Sequence, residues 1–213
     1  MKIALIGATG FIGSKILDEA LKRGHEVTGI ARNITKLPQH KKLIGKKGDI
    51  LNTDEISELV KGHDSIICSY NPGWTNPDIY KQQIEGGRSI IEAAKQSGIK
   101  RLFVVGGAGS LEVAPGVRLV DTPEFPKEYK EGALALAEVL YLLRKENELD
   151  WTFLSPSIVI APGEHTGKFR LGTDHVLFNE NGESKISVED YAIAVVDELE
   201  NPKHIRARFT VGY

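Results

Sequence analysis

The sequence feature that most constrains the fold is a glycine-rich segment near the start of the chain, between a short apolar run and a helical pattern. Gly7-Ala8-Thr9-Gly10-Phe11-Ile12-Gly13 has the spacing G-x-x-G-x-x-G. The apolar run 3–6 before it predicts a buried strand, and the apolar periodicity over 14–23 after it predicts a helix. Glycines in this context allow a tight turn, close approach of a pyrophosphate to the backbone, and close packing of the helix on the strand.

The start of that helix has the chemistry of an anion site. Its first N–H groups have no partner within the helix, and the helix dipole places partial positive charge at the same end. No G-K-[ST] follows the glycines, which excludes a P-loop. The segment therefore predicts a dinucleotide loop, the alternative being a glycine-rich turn without a ligand. The residues expected to contact the cofactor are Gly7, Thr9, Gly10, Phe11, Ile12 and Gly13.

The end of the second predicted strand distinguishes between the two nicotinamide dinucleotides. Arg32 directly follows strand 27–31, and no carboxylate lies between positions 27 and 47. An acidic residue here would bond the ribose hydroxyls of NAD, whereas an arginine can bind a ribose 2′-phosphate bidentately. Lys36 adds positive charge nearby. We therefore expect NADP as cofactor, with NADPH preferred over NADH; the alternative is that Arg32 is a solvated loop residue.

Strand and helix patterns alternate along the chain, which predicts an α/β fold with a doubly wound parallel sheet covered on both faces. We expect one domain over 1–213, with small irregular insertions after the fifth and sixth strands, at about 106–130 and 155–186. Residues 106–126 are too rich in glycine and proline to predict a regular element. The predicted strands are 3–6, 27–31, 43–44, 65–68, 102–105, 151–154 and 208–211, and the helices are 14–23, 53–61, 78–96, 127–146 and 187–199.

Composition and charge exclude several classes of protein. With 27 basic and 29 acidic residues the net charge is −2, so there is no overall electrostatic reason to bind nucleic acid or an anionic membrane. The single cysteine excludes an intrachain disulfide and thiolate-rich zinc sites, and the six histidines show no ligand spacing, so we expect no metal. No signal peptide or long apolar span is visible, which leads us to expect a cytoplasmic protein.

Together these features resemble those of a known family over essentially the full length of the chain. It is similar to atypical short-chain dehydrogenases/reductases of the NAD(P)H-binding, NmrA-like group, which includes flavin reductases of the biliverdin reductase B type. The resemblance implies a Rossmann-type sheet. Beyond the first glycine loop it depends on Arg32-Asn33, Gly48-Asp49-Ile50, Ile67-Cys68-Ser69-Tyr70, Gly106-Gly107-Ala108-Gly109-Ser110-Leu111, Trp151-Thr152-Phe153-Leu154-Ser155-Pro156-Ser157 and Ile186-Ser187-Val188-Glu189-Asp190-Tyr191-Ala192.

The resemblance also implies roles for individual positions along the cofactor. Asp49 and Ile50 would flank the adenine, although Asp49 could instead form a turn. The ribose-side path would be lined by Cys68, Ser69 and Tyr70, although Cys68 could equally be an inert buried thiol. The nicotinamide would lie over Gly106, Gly107 and Ala108, beside Ser155, Pro156 and Ser157.

One departure from the family concerns the catalytic pair. Typical members carry Tyr-x-x-x-Lys on the helix after the fifth strand, where the tyrosine activates the substrate oxygen. Here Tyr129 is followed four residues later by Ala133. Tyr141 is followed by Lys145, but this match lies near the far end of its helix, where we expect Tyr141 on the apolar face. The standard alcohol-dehydrogenase machinery is therefore expected to be absent.

These observations favour an NADPH-dependent reductase that passes hydride to a small acceptor such as a flavin or quinone. The polar candidates for a chemical role are Ser110, Tyr129 and His165. The alternative is a non-catalytic NADP sensor of the NmrA-like type, whose output is contact with a protein partner. Oxidation of an alcohol or steroid is a weaker alternative, because the Tyr–Lys pair is missing.

Overall fold

A computed structural model describes all residues 1–213. Its helices are α1 (Phe11–Lys22), α2 (Thr53–Val60), α3 (Ile79–Ser97), α4 (Lys127–Lys145) and α5 (Val188–Glu200). Its strands are β1 (Lys2–Ile6), β2 (Glu26–Ala31), β3 (Leu43–Lys47), β4 (Ser65–Cys68), β5 (Arg101–Val105), β6 (Glu112–Ala114), β7 (Val117–Arg118), β8 (Asp150–Ser155), β9 (Val159–Ala161), β10 (Arg170–Gly172), β11 (Lys185–Ser187) and β12 (Ala207–Gly212).

The main sheet has eight strands in the order β10-β12-β8-β5-β4-β1-β2-β3. All neighbours in it pair in parallel except β10, which runs antiparallel to β12 at one edge. The order reverses between β1 and β4, and such a switch point is where open α/β sheets bind ligands, at the carboxyl ends of their strands. The predicted fold class is confirmed.

Each face of the sheet packs against its own set of helices, because successive strand residues point to opposite sides. From β1, Ile3 and Leu5 join the cluster formed with α1 and α5, whereas Ala4 and Ile6 join the cluster formed with α2, α3 and α4. The central strands are therefore buried on both sides, as their continuous apolar runs predict, whereas the edge strands β3 and β10 are largely exposed.

Two helix ends have residues typical of helix caps. Gly98 ends α3 in the left-handed region, with φ of 77°, where a side chain would be strained. Ser187 begins α5, and its hydroxyl accepts a hydrogen bond from the Asp190 N–H at 2.9 Å, as the S-x-x-D pattern predicts.

The expectation that 106–126 lacks regular structure was wrong. It contains the hairpin β6–β7 and two short 3₁₀ turns, at 108–110 and 119–121. The second irregular segment contains β10 and the parallel pair β9–β11. These strands have two or three residues each, which is too few for a hydrophobic period to appear in the sequence.

Candidate cofactor site

Gly7 and Gly13 are required by the packing of the protein itself. Gly7 has φ of +78°, and its N–H donates to the Ile30 carbonyl at 2.9 Å, which joins the loop to β2. A Cβ on Gly7 would lie 2.4 Å from the Ser69 carbonyl oxygen, and one on Gly13 would lie 2.1 Å from the Gly7 carbonyl oxygen. No side chain fits at either position, so these two glycines bring β1, β4 and α1 into close contact.

Gly10 differs because it is exposed. A Cβ there would meet only one protein atom, the Gly7 carbonyl oxygen at 3.2 Å, so its outer surface is open to a ligand. Gly10 is also the residue before α1, and no side chain caps the N–H groups of the first turn. Uncapped N–H groups beside an open glycine form the cradle that a pyrophosphate requires.

The residues around Gly10 have distinct environments. Thr9 and Ile12 are partly exposed, whereas Phe11 is 52% exposed at the first position of α1. The first turn of α1 contains no acidic residue that would repel an anion. The loop as a whole therefore fits a pyrophosphate in both shape and charge.

A basic segment follows β2 at the same edge of the sheet. Arg32 is exposed directly after the last residue of β2, and Lys36 is exposed one turn later. The Asn33 side chain accepts hydrogen bonds from the Thr35 N–H at 3.0 Å and the Thr35 hydroxyl at 2.7 Å, which orders the turn after Arg32. The last residue of β3, Lys47, pairs with Ala31 at this edge, whereas Lys42 lies at the amino edge, where its Nζ donates to the Gly24 carbonyl at 2.6 Å. Arg32, Lys36 and Lys47 therefore provide positive charge near this edge, as a 2′-phosphate would require.

Tyr70 lies between this segment and α3. Burial raises the pKa of Tyr70 to about 12, while the nearby Arg32 charge opposes the increase and Asp49 adds to it. Its ring occupies the space that a side chain at Gly86 would need, since a Cβ there would lie 2.5 Å from Tyr70 Cε1. The structure therefore brings Arg32, Asp49 and Tyr70 to one end of the carboxyl edge.

The other positions predicted at the adenosine end are partly or fully occupied by structural contacts. Asp49 Oδ1 accepts from the Leu51 N–H at 3.1 Å, so its carboxylate stabilises the turn before α2. Ile50 is 3% exposed and lies in the core. Burial raises the pKa of the Cys68 thiol to about 12, which leaves it an unreactive thiol at neutral pH. For Cys68 and Ile50 the side chains thus point into the protein.

Near the predicted nicotinamide position, the surrounding protein leaves no room for a side chain at Gly106 or Gly107. A Cβ on Gly106 would lie 2.2 Å from the Phe153 ring, and one on Gly107 would lie 2.9 Å from Leu136 Cδ1. Both constraints come from the side of the sheet covered by α4. These glycines let β5 and its following loop pack closely on β8 and α4.

The same close packing explains the missing lysine. Ala133 stands four residues after Tyr129, where a Tyr-x-x-x-Lys motif beginning at Tyr129 would have its lysine; it is buried, and a Cβ on Gly109 would lie 2.8 Å from the Ala133 Cβ. The methyl group of Ala133 therefore already fills the contact between α4 and the loop after β5. A lysine would not fit there unless that loop moved.

The segment after β8 is also turned inward. Ser155, Pro156 and Ser157 are buried. The Ser157 hydroxyl donates to the Val211 carbonyl at 2.8 Å, and the Thr210 hydroxyl donates to the Ser155 carbonyl at 2.9 Å. These hydrogen bonds join β8 to β12.

Of the polar candidates, Ser110 belongs to an ion-pair network around the buried Arg208. Its hydroxyl accepts from Arg208 Nη1 at 3.3 Å, and Arg208 Nε donates to Asp174 Oδ1 at 2.9 Å. Burial opposes ionisation of Asp174, but the Arg208 guanidinium outweighs it and lowers the pKa of that carboxyl group. The network joins the loop after β5 to β12 and to the segment after β10, so Ser110 has a structural partner.

His165 lies on the other side of the sheet, against α1. Its Nε2 is 2.8 Å from Glu19 Oε2, and Glu19 also accepts from Arg23 Nε at 2.6 Å. Glu19 lies two turns beyond the start of α1, so the imidazole contacts the body of that helix. The sequence suggested His165 as a chemical group; the structure places it in an ion-pair network away from the glycine loop.

Tyr141 was predicted on the apolar face of its helix, and this was wrong. It is 54% exposed, and Lys145 Nζ lies 4.1 Å from the centre of its ring. The buried face of α4 contains Leu136, Leu140 and Leu143 instead. Since α4 leads into the first residue of β8, this end of the helix lies at the amino edge of the sheet, opposite the glycine loop.

Three residues of the site region were not found by the sequence analysis. Arg208 looked like an ordinary strand residue, and its burial depends on Asp174, which is distant in sequence. Gln83 is 5% exposed, and its Oε1 has no hydrogen-bond partner. Trp74 is 46% exposed beside Tyr129, which stands at the start of α4 on the carboxyl edge. An apolar ring within the turn-rich stretch Asn71-Pro72-Gly73-Trp74-Thr75-Asn76-Pro77 was the available signal.

A mostly parallel sheet with a glycine loop at its switch point and a basic segment after β2 defines a Rossmann-type, NAD(P)-binding protein. The chain belongs to the NAD(P)H-binding family, whose model matches residues 7–202. The predicted resemblance to atypical short-chain dehydrogenases/reductases is thereby confirmed. No helix of the structure is long and apolar enough to span a membrane.

Several similar proteins cover the whole chain. The Bacillus subtilis protein YwnB is 45% identical over 214 residues, which span 99% of this chain and 98% of YwnB. A solved “putative epimerase” of Bacteroides thetaiotaomicron is 47% identical, with a TM-score of 0.94 over 100% of this chain and 96% of that one. A solved “putative NADH-flavin reductase” of Streptococcus pneumoniae is 40% identical, with a TM-score of 0.86 over 100% of this chain and 99% of that one.

Proposed function

We propose that this protein is an NADPH-dependent reductase that transfers hydride to a flavin, a quinone or a similar small acceptor. The observation that carries the proposal is the combination of a complete phosphate cradle at Gly10 with Ala133 buried at the lysine position. An enzyme built this way positions two reactants but lacks the pair that polarises a carbonyl group. The similar protein described as an NADH-flavin reductase supports the same class of reaction.

The reaction balances without a protein acid. A dinucleotide held in this cradle would supply a hydride, which is two electrons and one proton, and leave as NADP⁺. The acceptor ring would take the hydride and one proton from water, giving a hydroquinone or a dihydroflavin. Electron-poor rings need orientation more than general acid catalysis, and holding two reactants in contact is itself a large part of catalysis.

In this proposal, residues of the chain bind the cofactor and hold its two ends in position. Gly10 and the uncapped start of α1 bind the pyrophosphate, and Arg32 with Lys36 binds the 2′-phosphate. Tyr70 borders the ribose path, and the loop after β5 supports the nicotinamide. Arg208, Asp174 and Ser110 hold that loop against β12 so that the supporting surface stays in place.

Two other functions would give different results when NADPH oxidation is measured with a panel of acceptors. A sensor of the NmrA-like type would bind NADPH tightly and reduce nothing. Oxidation of an alcohol or steroid, or chemistry like that named for the Bacteroides neighbour, would require activation of a carbinol oxygen. The burial of Ala133 beneath Gly109 disfavours this last class.

The test is NADPH oxidation followed at 340 nm with menadione, riboflavin, FMN and dichlorophenolindophenol, beside a panel of alcohols with NADP⁺. We expect turnover with at least one acceptor and none with the alcohols. The matched control is Gly10→Val, which leaves the acceptor side unchanged. Tight NADPH binding without turnover on any acceptor would refute the reductase and support the sensor.

A further inference from the structure

The carboxyl edge of the sheet carries an exposed aromatic pair outside the dinucleotide cradle. Trp74, in the segment after β4, and Tyr129, at the start of α4, have ring centres 5.2 Å apart and planes at 86°. They are 46% and 45% exposed. Two perpendicular rings form a corner in which a third planar ring can stack on one face while receiving the edge of the other. We call this pair the aromatic corner.

The aromatic corner is held in position by its surroundings. Gly132 leaves the space for the indole, since a Cβ there would lie 2.6 Å from Trp74 Cζ3. The segment bearing Trp74 is folded by local hydrogen bonds, including one from the Gly73 N–H to Asn71 Oδ1 at 2.7 Å and one from Asn76 Nδ2 to Gln82 Oε1 at 3.0 Å. A surface that is ordered before binding loses less entropy when a ligand docks.

The position of the corner relates it to the acceptor. Trp74 follows β4 and Tyr129 follows the loop after β5, and these two strands are neighbours next to the switch point. The adenosine end of the cradle lies in the other direction, at β2. The corner is therefore on the side of the sheet where the proposed reductase would hold the nicotinamide and an acceptor that approaches it.

Charge differs between the two ends. The end at β2 and β3 carries Arg32, Lys36 and Lys47 beside a single carboxylate, Asp49, whereas 70–78 and 125–133 together contain two lysines and three carboxylates. The corner thus offers aromatic surface without a surplus of positive charge. A phosphate-bearing acceptor would gain nothing there, whereas an uncharged planar ring would lose nothing.

We propose that the Trp74–Tyr129 corner is the acceptor subsite and that it selects an uncharged planar ring, of the quinone or unphosphorylated flavin class. This inference rests on the proposed reductase function and adds the subsite and the charge class of the acceptor. The hydride step is the one balanced above; the corner holds the ring, and no proton moves to or from it.

The kinetic test replaces Trp74 by Ala and by Phe, with Tyr141→Phe on the opposite end of α4 as control. We expect Trp74→Ala to raise the KM for menadione and riboflavin about tenfold while the KM for NADPH stays within about twofold. Trp74→Phe, which keeps an aromatic face, should retain most of the affinity, and Tyr141→Phe should change neither constant. Unchanged acceptor KM in folded Trp74→Ala, or equal increases for NADPH and acceptor, would overturn the proposal.

The charge argument has a matched pair of substrates, because riboflavin and FMN share one ring system and differ by a phosphate. We expect kcat/KM for riboflavin to exceed that for FMN by at least about fivefold. Equal values, or a preference for FMN, would overturn selection of an uncharged ring.

A binding measurement separates this inference from the proposed function. The chain has two tryptophans, and Trp151 is buried, so Trp74 is the exposed reporter. Menadione added to NADP⁺-loaded protein should quench the fluorescence saturably, and Tyr129→Ala, which keeps the Trp74 reporter, should raise the menadione concentration needed for half-quenching about tenfold. Saturable quenching without turnover would support the subsite and refute the reductase. Turnover without Trp74-dependent quenching would support the reductase and refute the subsite.

Discussion

Replacing Arg32 by Ala tests the assignment of the cofactor. Arg32 is exposed directly after β2, at the carboxyl edge of the sheet, and Lys36 is exposed in the same loop. A charge-assisted hydrogen bond contributes about 1.5–3 kcal/mol. A factor of ten in affinity corresponds to about 1.4 kcal/mol, so the loss of this contact predicts about 10- to 150-fold weaker binding of NADPH.

NADH lacks the 2′-phosphate, so its affinity should change by less than about threefold in Arg32→Ala. The assay is titration of protein fluorescence with each nucleotide at low and moderate ionic strength. Arg32→Lys retains the charge but loses the bidentate fork, so its affinity for NADPH should lie between those of the wild-type protein and Arg32→Ala. Lys145→Ala, a cation removed at the opposite edge of the sheet, is the matched control.

The wild-type protein should bind NADPH at least about tenfold more tightly than NADH. The preference should decrease as salt is added, because an exposed phosphate–guanidinium contact is screened. Equal affinities of the wild-type protein for the two nucleotides, or an equal loss of both in Arg32→Ala, would refute the assignment.

Three further substitutions test separate parts of the structure. Gly10→Val should abolish NADPH binding while the circular dichroism spectrum stays native, and normal NADPH binding by this variant would show that the glycine loop is not the phosphate site. Gly13→Ala should instead destabilise the fold, because its Cβ would meet the Gly7 carbonyl oxygen. Tyr141→Phe should leave acceptor reduction within about threefold, because the ring is exposed at the far end of α4, and a folded variant without turnover would contradict this. Asp190 accepts hydrogen bonds from the Thr166 and Gly167 N–H groups and from the Tyr213 hydroxyl; burial opposes its ionisation, but these bonds lower the pKa of Asp190 below its ordinary value. A lowered pKa in the folded state stabilises the protein above the unfolded-state pKa, at about pH 4, and that stability is lost as pH falls further. Asp190→Asn should therefore lower the free energy of unfolding in urea by about 1–3 kcal/mol at neutral pH. Below pH 4 the variant should lose less stability than the wild-type protein does, and identical pH profiles of the two proteins would refute this.

The order of elements and the cradle could be predicted from the sequence because their signals are local. A strand buried on both faces is a continuous apolar run, and a glycine at a strand–helix junction reports a backbone that tolerates no side chain. Gly7 and Gly13 show the second point, since their Cβ positions are filled by carbonyl oxygens. Arg32 could be proposed for the same reason, because it stands at a fixed distance along the chain from the glycine loop.

Only the tertiary structure decided which side chains share a space. Ser110 and His165 looked equally available in the sequence, but one is bonded to Arg208 and the other to Glu19, partners 98 and 146 residues away. Tyr141 was assigned to the wrong face because small residues such as Gly132 and Ala133 blur the period of α4, and their packing against Trp74 and Gly109 sets the rotation of the helix. The aromatic corner has the same origin: Trp74 and Tyr129 are 55 residues apart and meet because a glycine leaves room for an indole. Contacts of this kind depend on shape complementarity between distant segments, which no local pattern encodes.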